Sequence, residues 1–174
     1  MKMQKTLAAL AAAGALIVAG CGDDKTSSTA GNGTDRAFVA DMIPHHRSAV
    51  GMAKIAQARG RSPFVKTLAS SIVRTQTKEI TQLRIQDKEL ADAGVKRGSL
   101  GAAHGMGMGG DIGSLKMASP FDPAFLRMML PHHSGAVEMA KIELAKGEDP
   151  ELKKLAQQII DAQQREIGEM RRQL

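Results

Sequence analysis

Two short stretches of the chain hold its ligand chemistry. In one, Met42-Ile43-Pro44-His45-His46 leads on to Met52. In the other, 87 positions later, Met129-Leu130-Pro131-His132-His133 leads on to Met139. Four of the five histidines and four of the eleven methionines sit in these two places. Imidazole and thioether are soft ligands that select Cu(I) and, by the same argument, Ag(I); Fe and Mn favour oxygen-rich sites. At about 100° per residue, Met42, His45, His46, Ala49, Met52 and Ala53 fall within about 120° of one helix face. Met129, His132, His133, Ala136, Met139 and Ala140 do the same. Two such helices facing each other bring imidazoles and thioethers together, and the alanines let the backbones approach closely.

Other polar residues fall where an apolar stripe is expected. Gln76 and Glu79 lie in line with Val65, Ile72 and Leu83, and Gln163 and Glu166 hold the matching places 87 residues on. A buried carboxylate is costly unless something pairs with it. A histidine pair on the facing helix or a metal ion would serve, so these four residues are expected to orient the histidines or complete the ligand set. Di-iron bundles take one Glu from each of two helices and Glu-x-x-His from the other two. Here Met42-x-x-His45 and Met129-x-x-His132 keep that spacing with thioether in place of carboxylate, which disfavours an iron oxidase. The segment His104-Gly105-Met106-Gly107-Met108 offers the same ligand types. It could capture an ion, close over the bundle site, or be a plain Gly-rich linker.

The elements that position these residues follow from helix signals. Asp35 is a plausible N-cap for a helix ending at Gly60. Ser62-Pro63 and Asp149-Pro150 each place a capping side chain before a proline at the first helical position. Asp122-Pro123 reads the same way. Residues 35–84 align with 122–171 without a gap, and 24 of the 50 pairs are identical. The unit is therefore a helical hairpin present twice, in 35–92 and 122–174, joined by a Gly/Met-rich crossover over 93–121. A lone hairpin cannot cover its own apolar face. Two together make an all-α four-helix bundle of two tandem helical hairpins with approximate two-fold symmetry. Pro44 and Pro131 lie inside their helices and predict a kink just before the histidines.

Residues 1–20 read as a lipoprotein signal peptide: Lys2 and Lys5, an apolar run too short to span a bilayer with ease, then Val18-Ala19-Gly20-Cys21, which resembles a bacterial lipobox. Cleavage before Cys21 and its lipidation would anchor the chain to the cell membrane or outer membrane on the extracytoplasmic side. Residues 21–34 would be a flexible tether. With Cys21 lipidated no thiolate remains, so His and Met must supply any soft-metal site. The mature part carries 22 basic and 18 acidic side chains, a mild bias suited to an anionic membrane surface. Scattered basic residues and the absence of Trp and Tyr argue against nucleic acid. No Ser/His/Asp order, nucleophilic cysteine or phosphate loop is present, so no enzyme is expected.

The paired Met-x-Pro-His-His-x-x-Ala-Val-x-Met-Ala-Lys, followed in the next helix by Gln-x-x-Glu-Ile, resembles the bacterial family called domain of unknown function 305 over about residues 35–174. The resemblance implies a ferritin-like four-helix bundle, export or lipid anchoring and, for some members, periplasmic copper binding. It implicates Met42, His45, His46, Met52, Met129, His132, His133 and Met139. Residues and resemblance together lead to the expectation of a lipid-anchored copper-ion binding protein that sequesters its cargo or passes it on. The alternatives are a structural or interaction module of the cell envelope, with its own protein partner and a His/Gln/Glu core, and a ferritin-like di-iron oxidase.

Overall fold

A computed structural model describes residues 31–107 and 111–174. The expected signal peptide, Cys21, most of the tether, and Met108 lie outside the described residues. The elements are α1 (Gly33–Arg59), α2 (Pro63–Asp92), a single 3-10 turn (Gly101–Ala103), α3 (Ile112–Met117), α4 (Phe121–Lys146) and α5 (Pro150–Arg172). All regular structure among the described residues is helical.

Two of the helix starts are as read from the sequence. Ser62 Oγ accepts from Val65 N at 3.1 Å, and Asp149 Oδ1 accepts from Glu151 N and Leu152 N at 2.9 Å, each with proline next in line. The other two differ. Asn32 caps α1, so residues 32–34 belong to the helix start rather than to a tether, and Asp35 is the third residue of a capping box. Helix α4 begins at Phe121 with no side-chain cap. Both aspartates are instead used across the bundle. Asp35 accepts from Glu148 N at 3.1 Å and Asp149 N at 2.9 Å; Asp122 accepts from Arg61 N at 3.0 Å and Ser62 N at 2.7 Å. Each hairpin thus supplies a carboxylate to the tight turn of the other, at positions related by the 87-residue repeat.

The crossover is more structured than expected. Asp111 caps the six-residue α3. Leu115 is buried in the core beside Phe121 and Phe125, and Arg59 donates to the carbonyls of Leu115, Lys116 and Ala118. Pro44 and Pro131 are exposed and helix continues through both. They face the side where water can reach the carbonyl each ring leaves unpaired.

The hairpins are α1 with α2 and α4 with α5, and they meet mainly through α1 and α4. Their apolar side chains form two clusters. One holds Met42, Leu83, Ala136, Met139, Ala140 and Ile159; the other holds Ala49, Met52, Ala53, Ile72, Phe125, Met129 and Met170. Met42 clusters with Met139, and Met52 with Met129, so α1 and α4 run antiparallel. Along every long helix the chain crosses from one cluster to the other through polar residues: His45-His46 on α1, Gln76 and Glu79 on α2, His132-His133 on α4, Gln163 and Glu166 on α5. These eight form a polar layer across the bundle.

Candidate metal centre

The layer is built around α1 and α4. His45, His46, His132 and His133 are all buried, none more than 1% exposed. The His45 and His132 rings face each other with centroids 3.8 Å apart and planes inclined by 43°. Each stands farther from its sequence neighbour: 6.4 Å for His45–His46 and 6.5 Å for His132–His133. The layer is therefore a central ring pair with one flanking ring on either side.

The flanking rings meet the second hairpin helices. His46 Nε2 lies 2.8 Å from Glu79 Oε2, and His133 Nε2 lies 2.7 Å from Glu166 Oε2. The second is a directed hydrogen bond; the first has the distance without the alignment. The expectation that Glu79 and Glu166 orient the histidines corresponds to these contacts. Gln76 and Gln163 are buried in the same layer, yet neither carboxamide oxygen has a partner.

His45 Nε2 is 3.1 Å from the Met106 carbonyl, delivered by the crossover. A carbonyl can only accept, so Nε2 carries the proton and Nδ1 is left with its lone pair. The hydrogen bond to the Glu166 carboxylate sets the same tautomer on His133. In all four histidines Nδ1 is buried and without a hydrogen-bond partner. For His46 and His132 both ring nitrogens lack a hydrogen-bond partner, although His46 Nε2 lies close to Glu79. Burial lowers the pKa of His45 to about 3, helped by the nearby His46, and that of His132 to about 2, helped by His45. The central rings are neutral at any physiological pH and offer lone pairs to a Lewis acid. A buried acceptor left unpaired costs about 1–3 kcal/mol, so four bare nitrogens in one layer are a poor structural network and a good ligand set.

The four sulfur ligands expected from the sequence, Met42, Met52, Met129 and Met139, are at most 1% exposed. They divide between the two apolar clusters, one pair on each side of the histidine layer. Among the described residues no three His, Cys, Asp or Glu side chains converge as a metal-binding group. The four imidazoles are spread along the layer rather than gathered at one point. Only His45 and His132 are in ring contact, because adjacent residues on a helix diverge by about 100°.

The crossover also closes the layer from outside. Met106 and Gly107 press against α4, where a Cβ on Gly135 would collide with the Met106 carbonyl and one on Gly107 with the backbone of Pro131 and His132. Near this point the sequence reading missed a contact. Asp41, largely buried on α1, pairs with Arg97 and accepts from His104 Nδ1 at 3.0 Å. The signal was a break in the repeat, since Asp41 stands opposite Met128. Glu143, opposite Ala56, is a second such break: it is fully buried beside Asp35. Burial and then the Asp35 carboxyl push its pKa up to about 9.

Comparison with known proteins agrees with this architecture. CopM in its Cu(I)-bound form superposes with a TM-score of 0.69 at 33% identity, over 79% of this chain and 93% of that one. CopM is also known with Cu(II) and with Ag bound. A DUF305 fragment from Deinococcus radiodurans gives 0.66 at 30% identity, over 79% and 93% of the two chains. An uncharacterized protein of Acanthamoeba polyphaga mimivirus is 47% identical over 49 residues, 28% of this chain and 32% of that protein's own length. The family model Domain of unknown function (DUF305) matches residues 1–87 and 35–174, the duplicated hairpins included, and the chain belongs to that family.

Proposed function

We propose that this protein is an extracytoplasmic copper-binding protein, lipid-anchored through Cys21, that holds Cu(I) in the buried histidine layer and sequesters it or hands it on. The observation that carries the reading is the set of four buried Nδ1 atoms without partners, three of them on rings whose Nε2 lies against Glu79, Glu166 or the Met106 carbonyl. Metal-ligating histidines are commonly oriented in this way, by an acceptor on the other ring nitrogen. Methionine rather than carboxylate above and below the rings favours a soft cation. The likeness to CopM, solved with copper and with silver, supports the same class of cargo. No helix among the described residues is long and apolar enough to cross a membrane.

Competition of the purified protein against a Cu(I) chelator tests the proposal. Wild type is expected to withdraw Cu(I) from the chelator, and the His45→Gln/His132→Gln variant to lose most of that ability. Equal affinity in the two proteins would overturn the assignment. An envelope module without metal predicts no Cu(I) uptake by either protein.

A further inference from the structure

The fifth histidine lies outside the duplicated motif, and its setting is that of a ligand. His104 is on the crossover with its side chain 64% exposed, while its Nδ1 is 3.0 Å from Asp41 Oδ2. The Asp41 side chain is only 7% exposed, and its other oxygen is paired with Arg97. The carboxylate accepts the Nδ1 proton, so the Nε2 lone pair points away from it. A histidine steered by a carboxylate, with its other nitrogen bare, is the arrangement found behind metal ligands. The pairing is not a by-product of duplication, because the repeat places Met128 opposite Asp41.

The same loop reaches the buried layer. Two residues beyond His104, the Met106 carbonyl holds His45 Nε2 at 3.1 Å, while Met106 as a residue is 41% exposed. Gly105 and Gly107, with φ of 72° and 79°, flank Met106 and allow its carbonyl to turn inward. On α1, Asp41 precedes His45 by four residues, one turn of the same face. One short segment thus touches a solvent-facing imidazole at one end and the central ring pair at the other. Imidazole and thioether again favour a soft cation. Arg97 cancels the charge of Asp41, so the ion would be held there by ligand bonds alone and would leave readily.

We propose that His104, positioned by Asp41 and followed two residues on by Met106, is a second, surface site that receives the soft cation before the His45/His132 pair takes it. This rests on the copper reading of the buried layer. Ag(I), which is redox-inert, is the probe. The full-length protein is titrated while the histidine ring nitrogens are followed by 15N NMR, and the rate of loading from a chelator is measured separately. The His104 Nε2 signal is expected to move at substoichiometric Ag(I). His104→Gln should slow loading while leaving the final affinity of the buried layer unchanged. Asp41→Asn should give His104 mixed tautomers in the metal-free protein and weaken Ag(I) at that ring about tenfold. If the bundle rings respond and His104 does not, or if His104→Gln loads at the wild-type rate, the receiving site is refuted and the buried site stands. If no ring responds, both readings fall.

Discussion

Acid should unfold this protein through its two central histidines. His45 and His132 have pKa values of about 3 and about 2 when folded, against 6.5 for an ordinary histidine, because burial excludes the charged form. Below pH 6.5 the unfolded chain binds protons at these positions that the folded chain refuses. The stability contributed by keeping the rings neutral is therefore fully present above pH 6.5 and is lost as pH falls toward the folded values. Each pH step below 6.5 is worth about 1.36 kcal/mol per ring. At pH 5 the two rings together cost about 4 kcal/mol, a large share of the 5–15 kcal/mol typical of a domain. Urea unfolding at pH 7, 6 and 5 reads this directly. The His45→Gln/His132→Gln variant should lose most of the pH dependence in this window, whatever its stability at pH 7. If wild type and variant fall in parallel between pH 7 and pH 5, the central rings are not excluding protons and the argument for bare, neutral ligands is wrong.

Asp122→Ala removes the acceptor for Arg61 N and Ser62 N and should cost about 1–3 kcal/mol, read as a lower urea midpoint; a change below about 0.5 kcal/mol, the level of an ordinary surface substitution, would dismiss the cross-hairpin contact. Glu143→Gln should be more stable than wild type above pH 4.5, the gap widening toward pH 9: the raised pKa means that the unfolded chain releases this proton first, so wild type loses stability as pH rises through that window. Chemical denaturation at pH 5, 7 and 9 measures the gap. Gly135→Ala should push the Met106 carbonyl off α4, seen as faster amide exchange over residues 104–107 and a cost of about 1–3 kcal/mol.

Features governed by neighbours in sequence were legible. Ser62-Pro63 and Asp149-Pro150 announced α2 and α5, the 87-residue repeat gave the paired hairpins, and helix spacing placed the histidines and methionines indoors. What escaped depended on partners far along the chain. Asp35 looks like a helix cap until the turn at Glu148 and Asp149 comes within reach, 113 and 114 residues away. Helix α3 is too short for a periodic signal and owes its place to the burial of Leu115 and the reach of Arg59. Spacing also could not separate rings that share a face from rings that touch: adjacent histidines diverge, so the central pair forms between helices, one ring from each. Asp41 and Glu143 could have been suspected from the repeat itself, as the two places where an acidic side chain replaces Met or Ala in the matching copy.

The exchange of carboxylates between Asp35 and the second hairpin's turn, and Asp122 and the first's, makes the chain a covalently tethered pseudo-dimer. A crossover of some 28 residues keeps each half at an effective concentration near the millimolar range, far above that of any free copy. Neither half needs to be stable alone, and a lesion in one turn is felt by the other half. The two should melt as one cooperative unit, with the central ring pair parted only when the halves separate.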